Sequence, residues 1–275
     1  MNSEPLSQQI NYLIDEAHSC GKGANTVISY IHHYLENYSI GELHIKMHAD
    51  NCSGQNKNSF VIWYLLWRTL SGLHEQITLS FLIAGHTKFS PDAGFGLFKK
   101  KLRKTKVDCL DDIAKCVSDS SKLNVPVLVG RENGLSDVKV YDWSSFFALF
   151  FKKVTKVLSY HHFYFDGTPH VAMQKDSASK EIIQTLVKKN SDGTFMMPSG
   201  FPDVVVPDGL SLQRQWYLYK EIRQFVTNDE MKDIVCPKPL STDPTQQIVA
   251  EESDSDDEAA PPPPKKRSGR GRPKP

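Results

Sequence analysis

Hydrophobic and polar positions follow two different periods along the first hundred residues. Residues 43–49 (LHIKMHA) alternate apolar and polar in twos, and residues 77–84 (ITLSFLIA) form a short run rich in β-branched and aromatic types. Both patterns predict strands. Between them, residues 59–70 (SFVIWYLLWRTL) are apolar on nearly every side, which predicts a helix buried all round. Residues 10–14 read as a short strand ending at Asp15-Glu16. Gly21-Lys-Gly23 is a turn, and residues 24–38 carry Val27, Ile28, Ile31, Tyr34 and Leu35 at helical spacing. A further helix is predicted over 91–104. Pro91 suits its first turn, where a missing N–H costs nothing, and Asp92 suits the positive end of the helix dipole. Strands and helices that alternate in this way predict an α/β architecture.

The second half is less regular. The pattern predicts a helix over 108–118, a strand over 125–129 and a helix over 143–156. Two strands, 162–165 and 171–174, are expected to turn at Asp166-Gly167, followed by a short helix over 179–189. A Gly/Pro-rich loop (192–209) precedes a helix over 211–227, and the chain from Pro237 onward has the Pro-, Ser- and acid-rich composition of a disordered segment. The expected organisation is therefore a core over 8–106, an α+β extension over 107–235 and a tail over 236–275.

Composition narrows the classes. With 275 residues, 39% of them apolar and 24% charged, the chain can bury a core of ordinary size. The longest strongly apolar run, residues 60–67, is far short of the roughly 20 residues that span a bilayer, and the first residues lack the pattern of a secretory signal. A soluble intracellular protein with no membrane partner is expected. The five cysteines (Cys20, Cys52, Cys109, Cys116, Cys236) form no C-x-x-C pair, so free thiols are expected and a zinc ribbon is not. The formal net charge of +1 conceals an acidic block at 251–258 and six Lys or Arg between Lys265 and Lys274.

Two carboxylates carry the candidate chemistry. Asp50 ends the strand of 43–49 and opens the polar turn Asp-Asn-Cys-Ser-Gly-Gln-Asn-Lys-Asn (50–58), and Asp92 starts the helix after the next strand. Strand, Asp, helix, strand, acid, helix is the element order of the back half of a ribonuclease-H-like fold. In such folds distant carboxylates hold Mg²⁺ or Mn²⁺ for in-line attack on a phosphodiester. Asp50 and Asp92 are thus candidate catalytic metal ligands, with His86 as a catalytic auxiliary. Asn51, Gln55, Asn56, Lys57 and Lys88 are candidate substrate contacts, amide and cationic groups suited to phosphate and sugar. The plainer alternative is that Asp50 caps a turn and Asp92 a helix. Asp15-Glu-Ala-His18 looks like a helicase box, but no phosphate-binding loop precedes it, so a strand end with solvated acids is the better account.

The C-terminus adds DNA chemistry. Gly269-Arg-Gly-Arg-Pro-Lys274 matches the core of an AT-hook. In that motif Arg270, Gly271, Arg272 and Pro273 would enter an A·T-rich minor groove, where the lack of a glycine side chain permits close approach. Lys265, Lys266 and Arg267 after four prolines read as a nuclear import signal, so a nuclear location is expected.

Together these residues resemble a family of transposon-derived animal proteins whose shared domain has no assigned biochemical function. The resemblance rests on residues 11–17 (NYLIDEA), 21–25 (GKGAN), 48–58 (HADNCSGQNKN) and 81–92 (FLIAGHTKFSPD). Further matches are 95–99, 141–143, 215–223 and 236–239, so it covers roughly residues 8–240. It implies a ribonuclease-H-like transposase domain of the Asp-Asp-Asp/Glu type, with the strand of 10–14 as the third strand of that fold. On that reading the first two strands and the first Asp of the triad lie upstream in relatives. The chain is expected to lack them and to need a homo-oligomer or a partner to complete its sheet. The expected function is that of a transposase-derived nuclear DNA-binding protein with Mg²⁺-dependent strand cleavage lost or incomplete. The alternative is a non-enzymatic chromatin or DNA tether.

Overall fold

A computed structural model describes residues 8–82, 90–130 and 138–243. Among the described residues the chain forms seven strands and seven α-helices. They run β1 (Gln9–Ile14), α1 (Ala24–Asn37), β2 (His44–Ala49), α2 (Ser59–Leu70), β3 (Gln76–Phe81), α3 (Ser90–Leu102), α4 (Leu110–Ser120), β4 (Asn124–Val129), α5 (Trp143–Phe150), β5 (His162–Phe165), β6 (His170–Gln174), β7 (Ile182–Thr185), α6 (Leu212–Tyr217) and α7 (Asp229–Val235). The fold is α/β, with a mixed five-stranded sheet flanked by helices.

That sheet has the order β2-β3-β5-β6-β7. β2 and β3 are parallel and the remaining pairs antiparallel. The parallel pair needs a crossover, which α2 supplies. Nine consecutive residues of α2, Val61 to Thr69, are buried, as its all-round apolar composition requires. They pack on the inward residues Ile77, Leu79 and Phe81 of β3, Phe163 and Phe165 of β5, and Val171 and Met173 of β6, with Trp143 and Phe147 of α5 closing the core. Each such large side chain taken out of water contributes about 1.5–3 kcal/mol. Buried indoles keep their hydrogen bonds: Trp63 Nε1 donates to the Lys152 carbonyl (2.8 Å) and Trp143 Nε1 to Ser29 Oγ (3.0 Å).

Several expectations are revised. The strand of 10–14 does not join the main sheet; β1 lies parallel to β4 in a two-stranded sheet of its own. The short helix expected over 179–189 is strand β7, because Ile182 and Ile183 find a free antiparallel edge on β6 and tertiary pairing decides such short segments. The helix expected over 143–156 stops at Phe150, after which Phe151 bridges to Val187. The helix expected over 211–227 is regular only through Tyr217. It widens into a π turn at Leu218–Ile222 and ends in a 3₁₀ turn at Arg223–Phe225. Order also continues past Pro237: Trp216 Nε1 donates to the Ser241 carbonyl (3.1 Å), and Asp243, buried, pairs with Lys220. Strands from 8–106 and 107–235 share sheets, since β1 pairs with β4 and β3 with β5.

Candidate functional site

The turn after β2 is built almost wholly from its own side chains. Asp50 Oδ1 accepts the Cys52 amide (3.0 Å) and the side-chain amide of Asn56 (2.7 Å). The Cys52 carbonyl gathers the amides of Gln55, Asn56 and Lys57 at 3.3, 2.8 and 3.0 Å. Asn58 then caps α2, its Oδ1 accepting from Phe60 and Val61 (3.0 and 3.1 Å), while its Nδ2 donates back to the Ser53 and Gln55 carbonyls (3.3 and 3.0 Å). Such caps satisfy helix amides that would otherwise lack partners. The density of Asn and Gln in this segment thus has a structural cause.

Lys57 departs from its expected role. Its residue is only 3% exposed, so its ammonium does not face a substrate. Nζ donates to Asn51 Oδ1 (2.9 Å) and to His161 Nδ1 (3.4 Å), and sits 5.1 Å from the centre of the Phe81 ring. Asn51 in turn donates to the Leu82 carbonyl, so Asn51 and Lys57 tie the turn to the end of β3 and the start of β5. Burial pushes the Lys57 ammonium below its ordinary value. Burial first, and then the neighbouring Lys57 charge, lowers the His161 imidazole as well, so a neutral His161 serves as the acceptor. His161 is a contact that spacing along the chain could not reveal, because 104 residues separate it from Lys57. Gln55 and Asn56 are half-buried, and Asn51 is exposed only beside this anchor.

Asp50 and Asp92 border the same cavity. A hollow of about 470 Å³ is lined by both carboxylates together with His48, Asn56, Met47, Val61, Leu65, Leu79, Pro91 and Phe95. The fold thus brings together the end of β2 and the first turn of α3, 42 positions apart in the chain. His48 on the rim was not singled out from the sequence, although the alternation of residues 43–49 turns it to the side opposite Met47. Asp15 and Glu16 stand apart. Asp15 caps a 3₁₀ turn by accepting the Ala17 amide (3.0 Å), and Glu16 receives two bonds from Arg214 (2.7 and 2.9 Å). Among the described residues no three His, Cys, Asp or Glu side chains gather as a metal cage. His86, Lys88, Lys265, Lys266, Arg267, Arg270, Gly271, Arg272 and Pro273 lie outside the described residues.

The fold and cavity define an α/β protein with a mixed sheet and two carboxylates on one rim. The chain belongs to the family described as Domain of unknown function (DUF7869), whose model matches residues 6–181. No curated protein and no solved structure matches the chain.

Proposed function

We propose that the chain is a transposase-derived, ribonuclease-H-like nuclear DNA-binding protein whose ancestral Mg²⁺- or Mn²⁺-dependent strand cleavage is incomplete. The single observation that supports this reading is the shared cavity of Asp50 and Asp92. Two carboxylates on one rim, with room for water, suit a hard cation that prefers oxygen ligands and retains part of its hydration. Asp50 and Asp92 would hold it. The ion would supply a lowered water pKa and charge stabilisation at a phosphodiester. The chain's own contribution is the rigid turn, since the Asp50–Asn56 bond and the Lys57 anchor fix where the carboxylate stands. The basic tail would tether the protein to A·T-rich minor grooves through Arg270, Gly271, Arg272 and Pro273, after entry into the nucleus on Lys265, Lys266 and Arg267.

Thermal shift on addition of Mg²⁺ or Mn²⁺ tests the metal reading. Stabilisation should appear in the natural chain and vanish in Asp50→Asn and Asp92→Asn, because Asn keeps the turn acceptor but not the charge. A shift that survives in both variants refutes it. The second reading, a non-enzymatic DNA tether, is favoured by Asp50 Oδ1 already being occupied by two turn bonds. It predicts no metal response, together with loss of A·T preference when Arg270 and Arg272 become Ala. Equal binding of A·T-rich and G·C-rich duplexes by the natural chain would remove the tail from either account.

A further inference from the structure

A second cavity, of about 610 Å³, opens between the two sheets. It is lined by Gln9, Ile10 and Tyr12 of β1, Met47 of β2, and residues of α1 and α3. Among the described residues, β1 has a strand partner on one edge only (β4), and so has β2 (β3). The free edges are identified by the hydrogen bonds of the paired ones. The Gln9 and Asp15 amides donate to the Leu123 and Val129 carbonyls of the β4 side (2.8 and 3.5 Å). The N–H and C=O of one strand residue point to the same side, and successive residues to opposite sides. Ile10, Tyr12 and Ile14 therefore aim their peptide groups away from β4. On β2, the Leu43 and Ala49 carbonyls accept from Gln76 and Leu82 on the β3 side (3.2 and 2.9 Å). By the same alternation His44, Lys46 and His48 aim theirs away from β3.

The slot is covered on both faces. Tyr12 stacks on Tyr30 of α1 with ring centres 4.7 Å apart. Gly94 of α3 lies so close to the Gln9 side chain that a Cβ there would meet it at 2.0 Å. Gln9 and Tyr12 are an odd number of positions apart, so their side chains leave opposite faces of β1. Thus α1 and α3 sit on opposite faces of the gap. None of the lining residues carries a charge, and the apolar ones include Phe95 and Leu97, which remain 46% and 48% exposed. Charge complementarity therefore selects the occupant: an ionised side chain placed here would lose its hydration without a counter-ion.

We propose that the gap between β1 and β2 is a docking slot for one extended, uncharged polypeptide strand from a partner, apolar on both faces. It would hydrogen-bond to both free edges and join the two sheets. Both edges are six residues long, which sets the length of the strand. Main-chain bonds to two edges would give affinity, and the apolar faces specificity, as in other strand-addition complexes. A strand buried on both faces reads as a continuous apolar run. The proposal does not depend on any catalytic reading of Asp50 or Asp92.

The test is selection of a displayed library of random decapeptides on the full chain, followed by hydrogen exchange with an enriched peptide. The expected consensus is an uncharged, β-branched stretch of about six residues with no proline. Protection should be gained at Ile10, Tyr12, His44, Lys46 and His48. Phe95→Lys, on an exposed side chain, should weaken the peptide at least tenfold without altering the fold, and Met47→Lys provides a second check. No enriched sequence, a charged or proline-bearing consensus, or protection elsewhere would overturn the proposal. So would protection of these amides in the peptide-free chain with a doubled mass in light scattering, which would make the occupant a second copy.

Discussion

Arg68 gives the sharpest energetic prediction, because its surroundings allow the cost of removing it to be divided among partners. The residue is 3% exposed, on α2, and its guanidinium meets three elements. Nη1 donates to Glu36 Oε1 (2.9 Å) and to the Tyr64 hydroxyl (3.0 Å), and Nε donates to His74 Nδ1 (3.1 Å). Arg68→Met keeps most of the apolar stem and removes the donors. Glu36 has a side chain 46% exposed and can return to water, so that pair is worth no more than about 1 kcal/mol. Tyr64 OH keeps a second partner in His32 Nδ1 (3.2 Å). His74, itself 3% exposed, loses its donor, and a buried acceptor left unpaired costs about 1–3 kcal/mol. The sum is about 2–4 kcal/mol, reduced slightly because a buried charge has been removed.

The argument makes a stricter claim about the pair. If the orphaned His74 nitrogen dominates, removing it together with its donor should be nearly neutral relative to removing the donor alone. Arg68→Met with His74→Leu should therefore recover at least about 1 kcal/mol of what the two single variants lose when added. Urea unfolding followed by tryptophan fluorescence reads all four proteins. Strict additivity would refute the division, and so would a single-variant loss below about 1 kcal/mol.

Two other outcomes follow from the same structure. Burial lowers the His32 imidazole from its ordinary 6.5 to about 4, against a smaller opposing pull from Glu36. A depressed histidine stabilises the fold fully above about pH 6.5 and loses that contribution as pH falls toward 4. The ceiling is about 3 kcal/mol at roughly 1.4 kcal/mol per pH unit, so Tm against pH should fall less steeply between pH 6.5 and 4 in His32→Phe, and parallel curves would contradict this. Asp108 accepts from the Thr227 amide, the Thr227 hydroxyl and the Asn228 amide (2.7, 2.7 and 3.0 Å), which hold its carboxyl below the usual range. Asp108→Ala should speed amide exchange at Thr227 and Asn228 while leaving α2 unchanged, and unaltered exchange there would show that the anchor is unimportant.

The first hundred residues were legible because each element had a single strong cause. Ser59–Leu70 matches its expected helix at both ends, since Asn58 supplies a cap and the all-apolar face leaves no alternative but burial. The expected strands and helices around β2, β3, α1 and α3 differ by only a few residues at their ends. The Asp166-Gly167 turn between β5 and β6 was legible from turn chemistry, and Gly167 has a φ of +80° that few other residues adopt. Pairing was not legible. Nothing in the apolar run of 10–14 states whether its neighbour is β2 or β4, because strand partners are chosen by non-local packing. The candidate site divided in the same way: Asp50 and Asp92 emerged from element order, whereas the burial of Lys57 depends on Phe81 and His161 arriving from other strands.

The two cavities are not independent. Val27, Ile31, Met47, Pro91 and Phe95 line both the gap between β1 and β2 and the hollow that Asp50 and Asp92 share. A strand seated along β2 would run beside the residues that lead into Asp50, with Met47 and Phe95 packed against it instead of facing water. Packed side chains shift in concert because protein interiors leave few voids, so filling the gap must reshape the carboxylate rim. The direction is set by Phe95. It follows Asp92 in the first turns of α3, and drawing it onto an apolar strand would pull the start of that helix, and Asp92 with it, toward β2 and Asp50. The carboxylates would approach while the gap closes. A cation held by both should therefore bind more tightly when the slot is filled, and by reciprocity a strand should bind more tightly in the presence of the cation. If peptide affinity is the same with and without Mg²⁺ in a chain that responds to both ligands, the rim and the slot are mechanically separate.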